Sequence, residues 1–189
     1  AGNSLLTMAF EILSDKSLKV HEKIKIELIN RLSECAGHNG IAGGQYLDLS
    51  FEKKKVSKTK IIQMQIKKTG KLFSFCSMVP AIIKNKDKKT INNFARIGYD
   101  IGLLFQITDD LIDFSGETKK AGKKTKKDHK QGKATLISLL GYENTVKYTN
   151  KLKLNLFKKL IKYGSKSKNI NESLEFILNR SRWKKIINI

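Results

Sequence analysis

Apolar residues recur along this chain at intervals of three and four, the spacing of one helix face, and no segment shows the sustained alternation of a half-buried strand. Residues 1–13 read as a helix. Between Leu18 and Ala36, Ile24, Leu28, Leu32 and Ala36 fall four apart with lysines and glutamates between them, which predicts an amphipathic helix. Four of the eight residues from Gly37 to Gly44 are glycine, so that stretch reads as a loop or helix break. Gln45 and Asp48 then share a face in the next helical turn. A polar linker from Glu52 to Lys60 contains Ser57, a suitable cap for a helix running to about Val79, where Pro80 ends it. Asn85–Lys89 is a charged turn. A long helix spans Thr90 to about Ser115–Gly116, followed by a lysine-dense loop from Glu117 to Gly132. After Thr135 come a short apolar helix to Leu140, a turn at Gly141, a helix from Glu143 to about Tyr163 and a Ser/Lys/Asn loop from Gly164 to Asn171. A last helix carries Leu174, Phe176, Ile177 and Leu178. The pattern predicts an all-α fold.

One helix carries chemistry that packing does not explain. Ile97, Ile101, Leu103, Leu104, Phe105, Ile107, Leu111, Ile112 and Phe114 make the Thr90–Ser115 stretch apolar nearly all round, yet Asp109, Asp110 and Asp113 sit within it. Asp109 and Asp113 are four apart and share a face; Asp110 stands beside that face, and Gln106 lies one turn earlier. Three carboxylates in an apolar setting repel one another and lose hydration. A helix cap would explain one of them, not three in mid-helix. An all-oxygen donor set suits a hard cation such as magnesium. On the preceding helix, Gly70 follows Lys68 and Thr69. A mid-helix glycine costs about 1 kcal/mol against alanine, so its place there predicts close approach of another helix or a ligand. A lysine beside it offers a compact positive charge to a phosphate oxygen.

The formal charge of +21 raises nucleic acid or an anionic surface as a partner. The excess is almost all lysine, with arginine only at Arg31, Arg96, Arg180 and Arg182. Base-reading proteins lean on arginine, so the charge reads as a solvated surface that also gathers anionic substrates, not as a nucleic-acid site. No run of eighteen apolar residues occurs, which predicts no membrane span. Cys35 and Cys76 lie in apolar helical contexts without C-x-x-C spacing, which predicts reduced core thiols in a cytoplasmic protein. His21, His38 and His129 show no ligand spacing.

Phe105 to Asp113 resembles the second aspartate-rich motif, F-Q-x-x-D-D-x-x-D, of the trans-isoprenyl diphosphate synthases, the family of farnesyl and geranylgeranyl diphosphate synthases. Gly122-Lys123, Asp128 and Gly132-Lys133-Ala134-Thr135 resemble the family's G-K, D and G-K-x-T. Upstream, Lys68-Thr69-Gly70 resembles its K-T-G, and Gly43-Gly44-Gln45-Tyr46-Leu47-Asp48 its G-G-Q-x-x-D. The resemblance runs from the first residue to about Arg182.

It implies a helical bundle of the isoprenoid synthase type, with residues 1–189 as the C-terminal portion of a single domain. The first aspartate-rich motif and most of the isopentenyl diphosphate site would lie upstream of Ala1, so this piece alone is expected to bind magnesium weakly without catalysing. The implied reaction condenses an allylic diphosphate with isopentenyl diphosphate, farnesyl diphosphate being the preferred product and a geranylgeranyl or longer product the alternative. Asp109 and Asp113 would hold Mg2+, with Asp110 at the rim and Asp128 in support. Lys68, Lys123 and Lys133 would hold diphosphate, Thr69 and Gln106 would turn oxygen dipoles toward the carbocation, and Arg180 would assist the second substrate. The lysine-rich loop would close over diphosphate, and the enzyme would be a homodimer. Two other readings stand beside this one: a non-catalytic subunit of a heteromeric prenyl synthase, which would not need the intact aspartates, and a basic nucleic-acid-binding module, which would not need a buried aspartate helix.

Overall fold

The computed structural model describes residues 2–121 and 132–183, with side chains for 2–116 and 132–179. Helix α1 covers Gly2–Ser14, α2 Glu22–Ala36, α3 Ile41–Ser50 and α4 Lys58–Gln65. One π-helical turn, Ile66–Gly70, joins α4 to α5, Lys71–Ile83. The long α6 spans Lys88–Ala121, α7 Leu136–Leu140 and α8 Tyr142–Ile161; a 3-10 turn at Gly164–Ser167 leads into α9, Lys168–Trp183. No strand occurs among the described residues. Their helix starts are chemically marked. His21 Nδ1 accepts from the Lys23 amide, Ser57 Oγ from Lys60 and Asp87 Oδ1 from Thr90, while Thr135 and Ser138 form a reciprocal capping box. Each satisfies an amide that a helix start leaves unpaired.

The core has three connected parts around α6. Leu28, Leu32 and Cys35 of α2 meet Phe75, Met78 and Ile82 of α5. Ile61 of α4 meets Leu103, Ile107, Ala134 and Leu136. Leu156 and Leu160 of α8 and Leu174 of α9 close on Ile97 and Leu104. Close helix approach needs residues without side chains at two crossings. A Cβ at Gly98 would lie 2.5 Å from the Phe73 carbonyl oxygen and Ser74 Cα, and one at Gly102 would lie 2.6 Å from Gly70 Cα. Gly70 is therefore where α6 crosses, the helix approach its sequence position predicts.

Several boundaries differ from the sequence reading. Gly43 and Gly44 lie inside α3 rather than in a loop. Pro80 lies inside α5, which runs on to Ile83. Proline cannot donate to the carbonyl four residues back, but that residue, Cys76, is exposed, on the solvent side of the helix. Cys76 is thus not a core thiol, whereas Cys35 is. Helix α6 continues through Gly116 to Ala121; Glu117, Lys119, Lys120 and Ala121 are all strong helix formers, enough to carry it past one glycine. The expected 164–171 loop is instead a 3-10 turn and the start of α9. There Ser167 Oγ donates to the Gly164 carbonyl at 2.8 Å and accepts from Asn171 Nδ2 at 3.3 Å. What remains of the expected 117–132 loop falls mainly on 122–131, outside the described residues. No helix among the described residues is long and apolar enough to cross a membrane.

Candidate metal and diphosphate site

The polar residues that the sequence singles out lie on three elements packed together: α3, the π turn with its flanking helix α4, and the middle of α6. A π turn inserts an extra residue per turn and re-aims the side chains around it. Here it carries Lys67, Lys68 and Thr69. Gly44 of α3 lets that turn come close, since a Cβ there would sit 2.2 Å from the Lys68 nitrogen and 2.5 Å from its Cα. Asp48, one helical turn beyond Gly44, consequently reaches Lys68, Nζ to Oδ2 at 2.5 Å. Read from sequence alone, Gln45 and Asp48 are a surface pair. In the structure they part company: Gln45 is exposed, and Asp48 is half-buried against Lys68.

On the other side of the turn, Thr69 Oγ1 donates to Gln106 Oε1 at 3.0 Å. Gln106 Nε2 donates to Asp110 Oδ1 at 3.1 Å, within α6. The other Asp110 oxygen, Oδ2, accepts from Gln65 Nε2 of α4 at 3.1 Å. Gln65 is 2% exposed, and its Oε1 is buried without a hydrogen-bond partner among the described residues. Asp110 is thus gripped through both oxygens by two amides. Burial is the main reason its carboxyl is raised to about 6; the Gln106 hydrogen bond opposes this, and the charges of Asp109, Asp113 and Asp48 add to it.

Asp109 is partly buried, and Asp113, four residues on, is exposed. With Asp110 turned to the amides, these two share the α6 face that remains. Among the described residues no three carboxylate, imidazole or thiol side chains converge closely enough to enclose a metal ion. Two carboxylates do fit a magnesium ion that keeps several waters and takes its remaining ligands from phosphate oxygens. Asp109 and Asp113 are therefore the residues that would hold it.

The other expected site residues are not gathered here. Lys133 is exposed and faces a different cavity, of about 720 Å3, whose wall includes Lys53, Lys54 and Lys55. Lys123 and Asp128 lie outside the described residues, and Arg180 is in α9 with its side chain outside them. Gln65 was not foreseen. Its signal was a glutamine among the buried Ile61 and Met64 of α4, three residues before Lys68, where polarity needs a partner. An open hollow of about 540 Å3 is lined by Phe73, Phe105, Phe176 and Ile177 together with the polar Asn169, Glu172 and Ser173. Phe73 is four residues after Thr69, Phe105 immediately precedes Gln106, and the two rings stand 5.4 Å apart.

Residues 1–175 match the Polyprenyl synthetase family. The chain is 32% identical to a farnesyl diphosphate synthase of Micrococcus luteus, over 96% of this chain and 62% of that protein. It is 31% identical to a geranylgeranyl diphosphate synthase of Cyanophora paradoxa, over 96% of this chain and 61% of that protein. Among solved structures, an apo FPP/GFPP synthase of Zymomonas mobilis superposes with a TM-score of 0.77 at 34% identity, covering 93% of this chain and 59% of the other. A geranyltransferase of Helicobacter pylori, complexed with magnesium and isoprenyl diphosphate, gives 0.75 at 30% identity, covering 95% and 58%. The chain spans about three fifths of the length of these relatives. With the family matched over most of its residues and an all-α fold shared with solved members, the chain belongs to the polyprenyl synthetase family.

Proposed function

We propose that this chain carries the diphosphate-ionising part of a prenyltransferase that joins an allylic diphosphate to isopentenyl diphosphate. The observation that carries the reading is the polar cluster itself: one π turn presents Lys68, paired with Asp48, and Thr69, hydrogen-bonded through Gln106 to Asp110, next in sequence to Asp109 and near Asp113. A bound magnesium ion would neutralise charge that builds on the leaving diphosphate. Lys68 is placed to do the same from the protein side, its ammonium oriented by Asp48. The allylic C–O bond breaks and its electron pair leaves with the diphosphate. The double bond of isopentenyl diphosphate then forms the new C–C bond, and the proton lost in restoring a double bond passes to the released diphosphate.

The hydrogen bond to Gln106 fixes the Thr69 hydroxyl proton and thereby turns the oxygen's remaining lone pairs outward, a fixed dipole for a cation. Phe73 and Phe105 offer an apolar wall to the prenyl chain. In this reading Lys133 and, from the part of the chain outside the described residues, Lys123 complete the diphosphate set, Asp128 supports the metal, and Arg180 assists the second substrate. Relatives named for farnesyl and for geranylgeranyl products match almost equally well; farnesyl diphosphate is our preferred product. A homodimer in the cytoplasm belongs to the same reading.

Residues 1–189 hold a single F-Q-x-x-D-D-x-x-D motif, so binding is the discriminating measurement. Calorimetry with a non-ionisable allylic thiolodiphosphate should show binding that requires magnesium and is lost in Asp109→Asn/Asp113→Asn. Equal binding with and without the metal, or in that double variant, would refute the assignment. Chromatography of the prenyl products of any turnover decides chain length.

A further inference from the structure

We propose that Gln65 is a positioning residue that sets the metal preference of the site, by holding Asp110 away from the face shared by Asp109 and Asp113. The proposal rests on the reading of Asp109 and Asp113 as the magnesium ligands. Asp110 is next in sequence to Asp109 and three residues from Asp113, so a change of side-chain rotamer suffices to bring its carboxylate to their face. The structure keeps it elsewhere. Gln106 engages Oδ1 from the same helix, and Gln65 engages Oδ2 from α4. The Gln106 bond spans one turn of α6, and its strength is that of a local contact. The Gln65 bond crosses between elements and ties Asp110 to the buried Ile61–Met64 face of α4.

Gln65 is an unusual residue to find there. It is 2% exposed, and its Oε1 has no hydrogen-bond partner among the described residues, so its burial is offset mainly by what its Nε2 engages. A leucine or methionine of similar volume would fill that space with no polar group to satisfy. What the glutamine adds is the amide donor to Asp110.

The consequence for a cation follows from ligand number. Two carboxylates leave a small octahedral ion room for its waters and for phosphate oxygens, as magnesium requires. A third carboxylate on the same face raises the charge and the number of oxygens, which favours calcium, an ion that accepts six to eight oxygens in loose geometry. Gln65 therefore protects the site against calcium by withholding a ligand.

The test is calorimetric titration of residues 1–189 with Mg2+ and with Ca2+ separately, using wild type, Gln65→Leu, Gln65→His and Gln65→Leu/Asp110→Asn. Circular dichroism checks folding, and Gln65→Met replaces Gln65→Leu if the latter fails to fold. We expect Gln65→Leu to raise the Ca2+ to Mg2+ affinity ratio at least tenfold. Gln65→His, which retains an N–H donor, should keep the wild-type ratio, and Asp110→Asn in the Gln65→Leu background should abolish the gain. A merely structural role would change stability without this pattern. A ratio within about twofold of wild type in Gln65→Leu, or a gain that survives Asp110→Asn, overturns the proposal while leaving the metal site standing. Wild type that binds neither ion removes the metal reading and this proposal with it.

Discussion

Asp110 is a carboxyl raised to about 6 by burial first and by neighbouring negative charge second, against about 3.9 in an unfolded chain. Between these values the folded chain holds more protons than the unfolded one, so its stability falls as pH rises from about 4 to about 6 and is flat beyond. Asp110→Asn removes the titrating group. Denaturant melts at pH 4, 5, 6 and 7 should show the wild type losing on the order of 1–3 kcal/mol relative to the variant across that window; parallel curves would mean the carboxyl is not held up. Lys68 makes a second test at this scale. Lys68→Ala should weaken magnesium-dependent thiolodiphosphate binding at least tenfold, a loss of about 1.4 kcal/mol or more, whereas Lys60→Ala, an exposed lysine on α4, should change it less than twofold. That Gln106 and the three aspartates neighbour one another was legible from helix spacing, and Lys68 and Thr69 from the resemblance of Lys68-Thr69-Gly70 to a family motif. The parting of Asp110 from Asp109 and Asp113 was not legible, because it depends on Gln65, a residue of a different helix. Asp48 shows the same limit: Gln45 and Asp48 look alike in sequence, and only the approach of the π turn makes a partner for one of them.

At the scale of elements, glycine decides how close the site's helices come. Gly44→Ala would drive a methyl into the Lys68 backbone, with 2.2 Å to its nitrogen, and Gly98→Ala one into the backbone at Phe73 and Ser74. Backbone cannot yield as a flexible side chain can, so each should cost roughly 1–3 kcal/mol. Gly44→Ala should in addition reduce thiolodiphosphate binding, since it displaces α3 and with it Asp48. Gly116→Ala is the counter-case: nothing lies within 4 Å of the added carbon and the residue is inside α6, so the variant should gain about 0.5–1 kcal/mol from helix propensity alone. Thermal and denaturant melts of all three check the ordering, and a destabilised Gly116→Ala would contradict the helical continuation to Ala121. Helix number and rough position were legible from apolar spacing. The errors cluster at glycine and proline, where the local rule was applied without its surroundings. Gly43 and Gly44 lie inside α3 rather than breaking it, and α5 runs past Pro80 with the carbonyl-bearing Cys76 on its exposed side. The π turn has no sequence mark of its own; it is visible only as the geometry that brings Lys68 to Asp48.

For the whole molecule, two features of the surface oppose each other. The chain carries 38 lysines and arginines against 17 acids, so copies of it repel at low ionic strength. Helix α1 has no buried residue, and Leu5, Met8 and Ile12 are 65%, 50% and 55% exposed. Their spacing of three and four places them on one stripe of the helix, an apolar surface that water disfavours. Residues 1–189 are therefore expected to self-associate through that stripe, and the opposition of the two forces gives the association a signature. Screening shortens the reach of charge from about 30 Å at 0.01 M salt to about 8 Å at 0.15 M, while the apolar contact is left intact. Sedimentation of residues 1–189 should therefore show association that strengthens as salt rises from 0.01 to 0.15 M, the reverse of an assembly held by ion pairs. Leu5→Lys/Ile12→Lys interrupts the stripe and adds charge to it, and should leave a monomer at both salt concentrations. Because α1 touches the core only through partly buried residues such as Leu6 and Phe10, the double variant should melt within about 1 kcal/mol of wild type once compared as monomers. Association that weakens with salt, or that persists in the double variant, would move the contact off α1 and onto a charged face of the molecule.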